Sequence, residues 1–454
     1  MEKFRKEGKM RGTLFAVMAV FLLTGFTAAS EIDVLTQKLI EKGVISGGEG
    51  AQIMSETNED IAKALASGKS ASVPVWAQIL NLKGDVRYRV QEERTMAVHA
   101  VQRMRERIRF RINGTADLAD AFSLGFGICS GTDDPRSTNQ TLENSFQHSD
   151  IRLDMAWGQY SPVDGLTFLA GKFPYGSFLY KPSDLLYDSD LNFEGIGAEY
   201  TKPLIADILD GFAYLGYLNI DENSASEADP GLVCAQVGLS IKPVSNVFVK
   251  AAVGLHLFEN VQGMNISNLA TTSGAGASNT LVTSTSTTYT TVTTLTNTTA
   301  IGRTKTTATT SRFAFDYDCA VASLEVGAND TLLPVISVFI EAVGNMYDNA
   351  ALLYDGKYGY IVGLKFGDAK VNEFGKWQAM ISSRMLQKDS WVDFLSDSDA
   401  YGGKTAMIAH EFKITYGFSN QTNFEFDYYY ARKFPASDFK TDTQVAQFDF
   451  NFKF

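Results

Sequence analysis

From Ile79 onward, apolar and polar positions alternate with a period of two, the side-chain period of a β-strand. Leu82, Val86, Tyr88 and Val90 alternate with Lys83, Asp85, Arg87, Arg89 and Gln91. Ile108, Phe110 and Ile112 alternate with Arg105, Arg107, Arg109 and Arg111. Ile151, Leu153, Met155 and Trp157 alternate with Arg152, Asp154, Ala156 and Gly158. The pattern predicts sixteen strands: 80–91, 104–116, 120–130, 148–159, 164–173, 192–202, 210–221, 231–242, 246–258, 312–327, 332–345, 356–367, 373–387, 402–419, 421–433 and 441–454. Segments of about ten residues with one apolar and one polar or small face suit a transmembrane barrel. They suit a soluble sandwich with one wet face as well.

The connections favour the barrel. Those at 117–119, 161–163, 243–245 and 419–420 are short, while 92–103, 131–147, 174–191, 259–311 and 388–401 are longer and alternate with them. Short turns at one end and long loops at the other is the arrangement of an antiparallel transmembrane barrel. An even strand count puts both chain ends on the short-turn side. Before the barrel, Ile32, Leu35, Leu39 and Ile40 keep a helical stripe, residues 43–46 break it, and a second weak helix is expected over Ala51–Ala66.

Charge and composition add a compartment. Lys3, Arg5, Lys6, Lys9 and Arg11 precede the apolar run Leu14–Leu23, and Thr27-Ala28-Ala29 offers small residues for cleavage. That is the pattern of a secretory signal peptide, residues 1–29, and its apolar run is too short to span a membrane. The chain carries a net charge of −12, which argues against a nucleic-acid binder. Three cysteines without ligand spacing and four scattered histidines make neither a disulfide scaffold nor a metal site. No cofactor is expected. Residues 271–311 hold 24 Thr or Ser in 41 and one aromatic, Tyr289, so this stretch reads as a surface loop, with a hairpin near Leu281–Leu295.

Several local patterns suggest chemistry and are set aside. Gly403-Lys404-Thr405 resembles part of a phosphate loop, but Ser398 stands where the pattern needs glycine. Asp188, Asp190 and Asn192, with Glu199 beyond, resemble a calcium loop, but Phe193 replaces the glycine of the turn. His148 and His256 have lumen-facing parity. His410 shares the parity of Phe412 and Ile414, which would aim it at lipid, so a bulge is expected there.

The informative constellation is the Arg-rich first hairpin. Arg87 and Arg89 share one face with Lys83, and Arg105, Arg107, Arg109 and Arg111 share one face of the next strand. Arginine on the lipid side at mid-bilayer would cost about 2–4 kcal/mol each, so these residues are expected to face the lumen. Arg152, Asp154, Glu425, Asp427 and Asp449 take the same face of their strands. Barrel closure then sets the acidic last strand against the basic first one. The wall reads either as pore lining or as a salt-bridged ladder that fixes the barrel.

Several segments carry a family resemblance. Val34–Met54, the pair Gly84–Arg89 and Arg105–Arg111, Asp150–Trp157, Leu169–Phe173 and Leu186–Tyr200 resemble the putative porin family of Gram-negative-type outer membranes. The terminal Phe454, closing the run Phe448, Phe450 and Phe452, resembles the sorting signal of outer-membrane barrels. The resemblance implies a channel of about sixteen strands and fixes no substrate. The expected protein is therefore an all-β transmembrane barrel, residues 78–454, behind a periplasmic helical segment and linker, residues 30–70. It would be a passive diffusion pore in outer-membrane lipid, delivered to the barrel-assembly machinery by its Phe454 strand, with a homotrimer left open beside a monomer. The rivals are a plugged barrel acting as an adhesin or structural protein, and a barrel hydrolase.

Overall fold

The computed structural model describes residues 36, 38–40, 42, 46–50, 52, 55–56 and 79–454, apart from 97–99, 101, 120, 175, 177, 224–227, 270–277, 294–300, 330–332, 348–355 and 436–441. The expected signal peptide and the linker before the barrel lie outside the described residues. Two compact units divide the chain, Met1–Asn81 and Leu82–Phe454. In the first, the described residues are helical at 36 and 38–40 and again from 47. The second helix starts four residues before its expected position because Ser46 caps it. The Ser46 amide donates to Glu49 Oε2 (2.8 Å), and the Glu49 amide donates back to Ser46 Oγ (3.2 Å). This reciprocal pair satisfies two of the free amides at a helix start.

The second unit is a closed antiparallel barrel of sixteen long strands. In chain order these are β1 (Leu80–Thr95), β2 (Arg103–Ala119), β3 (Phe122–Ser130), β5 (Ile151–Val163), β6 (Leu166–Pro174), β7 (Asn192–Ile205), β8 (Leu209–Asn219), β9 (Gly231–Val244) and β10 (Val247–Glu259). There follow β13 (Asp318–Asn329), β14 (Val335–Asn345), β15 (Tyr358–Gly367), β16 (Trp377–Leu386), β17 (Met407–Gly417), β18 (Thr422–Lys433) and β19 (Thr443–Lys453). The two-residue β4 (Gln140–Thr141) lies beside β2. Each long strand pairs with its neighbours in sequence, and β1 closes the ring by pairing with β2 on one side and β19 on the other. Closure runs in register from Asp85 opposite Lys453 to Thr95 opposite Thr443. With every long strand paired on both sides, the sheet presents no free edge.

The outer face is apolar along its length, with Leu124, Leu153, Ile196, Val237, Val253, Val338, Phe412 and Phe448 among its exposed side chains. Aromatic rings cluster toward the short-turn end, where Phe122 stacks on Tyr160 (centroids 4.4 Å apart) and Tyr416 meets Phe418 edge-on (5.5 Å). Strand β17 pairs without a register break, so the bulge expected at His410 is absent. His410 stands on the outer face three residues from the long-loop end. There it stacks on the register partner Tyr430 with rings 7° from parallel. Polar groups cost least near that rim.

The predicted boundaries are furthest off in two places. Residues 312–317 do not begin a barrel strand: Arg312 and Phe313 end the hairpin strand β12 (Ile301–Phe313), which pairs with β11 (Leu281–Thr293). The Thr/Ser-rich stretch is thus one long two-stranded ribbon, of which the expected hairpin near 281–295 is the outgoing strand. Residues 402–406 are also not strand, because Tyr401, Gly402 and Gly403 take positive φ (56°, 69° and 74°) in a short 3-10 turn.

Among the described residues the ribbon is anchored at its base, where Arg312 Nη1 donates to Gly263 O (2.6 Å) and the Gly263 amide donates to Phe313 O (2.8 Å). A deletion of residues 285–308 should therefore leave the closed barrel intact, with the unheated, fast-migrating band on a detergent gel retained. Loss of that band would place the ribbon in the folding core.

Candidate functional site

Two long loops fold into the barrel instead of leaving it. One spans 175–191, between β6 and β7, and the other 387–406, between β16 and β17. Both carry apolar side chains that surface loops lack. Phe178, Leu185, Leu186 and Tyr187 of the first and Trp391, Val392 and Phe394 of the second are buried. They meet inward-facing apolar residues of the wall, including Leu232, Phe258, Val321, Phe339 and Ile361. The barrel interior thus contains a hydrophobic core. Its centre is Trp391, fully buried, with Tyr187, His256 and Phe258 packed edge-on at 5.2–5.5 Å and its indole N–H donating to Leu186 O (2.7 Å). Tyr187 Oη lies 2.8 Å from His256 Nδ1, so that histidine is a satisfied member of the core.

Polar ties lock the loops to each other and to their surroundings. The Asp188 amide donates to Leu395 O (2.8 Å), and the Ser398 amide donates to Asp188 Oδ2 (2.7 Å). Asn279, at the foot of the Thr/Ser ribbon, donates to Lys388 O and Trp391 O (2.8 Å each). Thr280 donates through its amide and hydroxyl to Asp389 (2.8 and 2.6 Å). Arg136, from the segment after β3, donates to Asp393 O and Ser396 O (2.8 and 3.3 Å). Gly403 lets it in: a Cβ there would lie 1.9 Å from Arg136 Nη1.

The residues that resembled a calcium loop serve this architecture. Asp190 accepts from the Thr138 amide and hydroxyl (3.2 Å each) and pairs with Arg111 (3.4 Å), while Asn192 donates to Asp154 (2.8 Å). Thr405, from the phosphate-loop resemblance, donates to Lys388 O (2.7 Å) and is buried.

The opposite wall, at β1, β2 and β16–β19, is charged. Arg89 grips Asp449, its register partner, with a fork of two bonds at 2.7 Å, and Arg87 pairs with the same carboxylate (3.3 Å). Arg89 also reaches Asp399 of the inward loop (3.3 Å). Arg109 and Arg111 share Asp85 (2.7 and 2.8 Å), and Arg105 pairs with Glu93. Among the described residues Arg107 bonds neutral groups, Gln91 Oε1 (3.2 Å) and Ser137 Oγ (3.3 Å). Asp427 pairs with Lys413 (2.9 Å), and Glu425 accepts from Thr415 (3.0 Å). Arg152 stands apart, bonded to Asp133 and Asp150 at the long-loop rim.

The residue that sequence reasoning missed is Arg384. It is 1% exposed and binds three carboxylates at once: Asp184 of the first inward loop (2.9 Å), Asp397 of the second (2.7 Å) and Glu411 of β17 (2.5 Å). Nothing local marked it, because its partners lie up to 200 positions away in the chain.

This crowding of carboxylates splits their acidities. Burial opposes the charge on Asp190, but Arg109, Arg111 and Arg87 outweigh it and hold the carboxyl below its usual range. Asp184 is likewise kept low by Arg384 and Lys413 against its burial. Asp399 falls to about 2, because Arg89, Gln447 and Arg87 overcome burial. Burial, then the adjacent Asp190, pushes Asp188 up to about 7. Burial and Asp184 drive Asp397 well above its usual value. Arg384 and Lys413 favour the ionised form of Asp184, and the crowding that remains favours the protonated form of Asp397.

Cavities lie on both sides of the inward loops. Toward the short-turn end, about 190 Å³ is enclosed by Ser183, Asp184, Lys365, Glu411, Lys413 and Thr415 with apolar neighbours. At the long-loop mouth, about 410 Å³ opens between the ends of β1, β2 and β19 and the loop residues 134–137 and 398–404.

Residues 96–454 match the model of a family described as putative porin. No curated protein matches the chain in sequence. Among solved structures it is similar to the high-pH structure of Pseudomonas putida OprB, with 13% identity, a TM-score of 0.47 and coverage of 83% of this chain and 94% of that one. It is also similar to a mutant of the Rhodopseudomonas blastica porin (12% identity, TM-score 0.42, 83% of this chain and 100% of that one). A third is a loop-deletion mutant of OmpT, an outer membrane protein of Vibrio cholerae (12%, 0.41, 83% and 100%).

Proposed function

Because the chain belongs to the putative porin family, and is in general terms an outer-membrane channel, we propose that it passes small hydrophilic solutes by passive diffusion along one side of its lumen. The observation that carries this reading is the unequal filling of the barrel. Apolar loop side chains pack mainly against β6–β10 and β13–β16, while the wall formed by β1, β2, β5 and β17–β19 keeps its guanidinium and carboxylate groups. Water left along that wall replaces the solvation that lipid denies a polar solute. Arg87, Arg89, Arg105, Arg107, Arg109, Arg111, Asp154, Glu425, Asp427 and Asp449 form this lining, with Arg152 at its rim. On this reading the long-loop end of the barrel and the Thr/Ser ribbon lie at the cell exterior, the helical segment stays in the periplasm after removal of residues 1–29, and the Phe454 strand engages the assembly machinery.

Selectivity follows from which charges remain unspent. Arg87, Arg89, Arg109 and Arg111 are each bonded to a carboxylate, so they act more as a ladder than as a field. Arg107 lacks such a partner, and fields from exposed charges farther than ~8 Å away are screened at physiological salt. The refolded protein in a planar bilayer should give discrete conductance steps with a weak anion preference, read as the zero-current potential under a KCl gradient. R107E should abolish or reverse that preference. Arg109 is a poorer target, since glutamate there would face Asp85. Absence of any conductance would favour the plugged barrel, and an unchanged potential in R107E would remove Arg107 from the conducting path.

A further inference from the structure

The lining changes character along its length. Deep in the barrel each arginine has its carboxylate, but toward the long-loop mouth the pairing stops. Arg107 donates to a neutral amide oxygen and a hydroxyl, and its Nε is buried without a hydrogen-bond partner among the described residues. Arg103, four positions earlier on the same inner face, and Lys404, from the inward loop, have no ion-pair partner among the described residues. All three line the same cavity of about 410 Å³. Arg105, in the same wall, is paired with Glu93 but also keeps a buried, unpartnered Nε.

We propose that this cavity is a binding site for a phosphomonoester carried on a small polyhydroxylated body, the chemical class of the sugar phosphates. Six cations line the cavity (Arg94, Arg103, Arg105, Arg107, Arg136 and Lys404) against three carboxylates (Glu93, Asp134 and Asp399), and a bound dianion offsets most of that excess positive charge. Arg103, Arg107 and Lys404 approach from two positions of one strand and from a separate loop. A tetrahedral group with three terminal oxygens can accept from three such directions, whereas a planar carboxylate offers two oxygens. Guanidinium forks suit such oxyanions. The volume exceeds what a bare phosphate fills, and the rest of the wall holds acceptors, Glu93, Asp399, Ser137 and Gln91, placed to take hydroxyl protons. The cavity lies on the inner side of the sheet, so its ligand comes from solution and not from bilayer headgroups. The site depends on the porin reading only for how the ligand arrives.

The test is calorimetric titration of the purified, detergent-solubilised full chain with glucose 6-phosphate, glucose and inorganic phosphate, followed by current block in a bilayer. Glucose 6-phosphate should bind at least tenfold more tightly than inorganic phosphate, and glucose should give no measurable heat. K404Q, in an exposed loop position, and R107Q should each weaken binding about tenfold, R107K should recover part of the loss, and K370Q at the short-turn end should change nothing. Equal affinity for glucose or for inorganic phosphate, or undiminished binding in both K404Q and R107Q, overturns the proposal. Binding without conductance would sink the porin reading and leave the site standing. Conductance without binding or block by glucose 6-phosphate would sink the site alone.

Discussion

Replacing Arg384 with methionine is expected to release the two inward loops while the barrel stays closed. The guanidinium sits where both loops meet the wall, within 2.9 Å of Asp184, Asp397 and Glu411 and over the Tyr429 ring. Methionine fills similar volume but leaves three acids with only lysines nearby: Lys413, which contacts Glu411 (3.5 Å) and Asp427 among the described residues, and Lys181, which acts on Asp184 and Asp397. Removing one partner from a buried ionic cluster costs about 3–5 kcal/mol, because the other charges stay buried and uncompensated. The cheapest relief is entry of water, and that requires the loops to lift. The sixteen-strand ladder does not depend on this contact, since β16 is paired on both sides through its own backbone. R384M should therefore show larger, noisier conductance steps and new protease cleavage within 387–406, with the heat-modifiable gel band unchanged. Unaltered cleavage together with unaltered conductance would mean that the apolar packing around Trp391 holds the loops without this cluster.

What the sequence disclosed and what it concealed divide along the range of the interactions. Period-two alternation located all sixteen long strands, because a strand reports its two faces locally. Closure was legible too: basic residues on the first strand and Asp449 on the last can meet only if those strands are neighbours, and Arg89 lies directly opposite Asp449. The inward loops were missed, although a signal existed. Leu232, Cys234, Val321, Phe339 and Ile361 sit on the inner face, where a lumen filled with water alone would not favour them. Apolar inner positions on strands that already have apolar outer ones demand an occupant. The loop residues Phe178 to Leu191 and Trp391 to Phe394 are too apolar for solvent and supply it. Periodicity names the two faces of a strand but not what covers each one. The partnership of Arg384 with Asp184, Asp397 and Glu411 was beyond sequence reasoning for a different reason: each of these residues alone reads as an ordinary polar position.

The inward loops should be held tightest near pH 4 and loosen in both directions. Asp188 titrates at about 7 in the folded chain, against an ordinary carboxyl value near 4, and Asp397 is shifted the same way. Between those values the packed state binds protons that the released loops would not, so its stability falls as pH rises from 4 through 7. At ~1.4 kcal/mol per unit, Asp188 alone contributes on the order of a few kcal/mol to this limb. Asp316, pushed up to about 6 mainly by burial, adds to it from the foot of the ribbon. Asp184, Asp190 and Asp399 run the other way. Their folded values are depressed, so their contribution is present above pH 4 and disappears as pH falls toward 2. Lys181, on the first inward loop and lowered to about 8 by burial, works against the upper limb only from about pH 8 upward, where the packed loop has lost a proton that the released loop keeps. Gating frequency or protease cleavage of residues 387–406, followed from pH 3 to 9, should pass through a minimum. D188N retains an oxygen to accept the Ser398 amide but carries no charge, so it should flatten the limb above pH 4 and keep the acid one. A wild-type profile without the upper limb, or one that D188N leaves intact, would show that Asp188 does not carry the proton that balances this cluster.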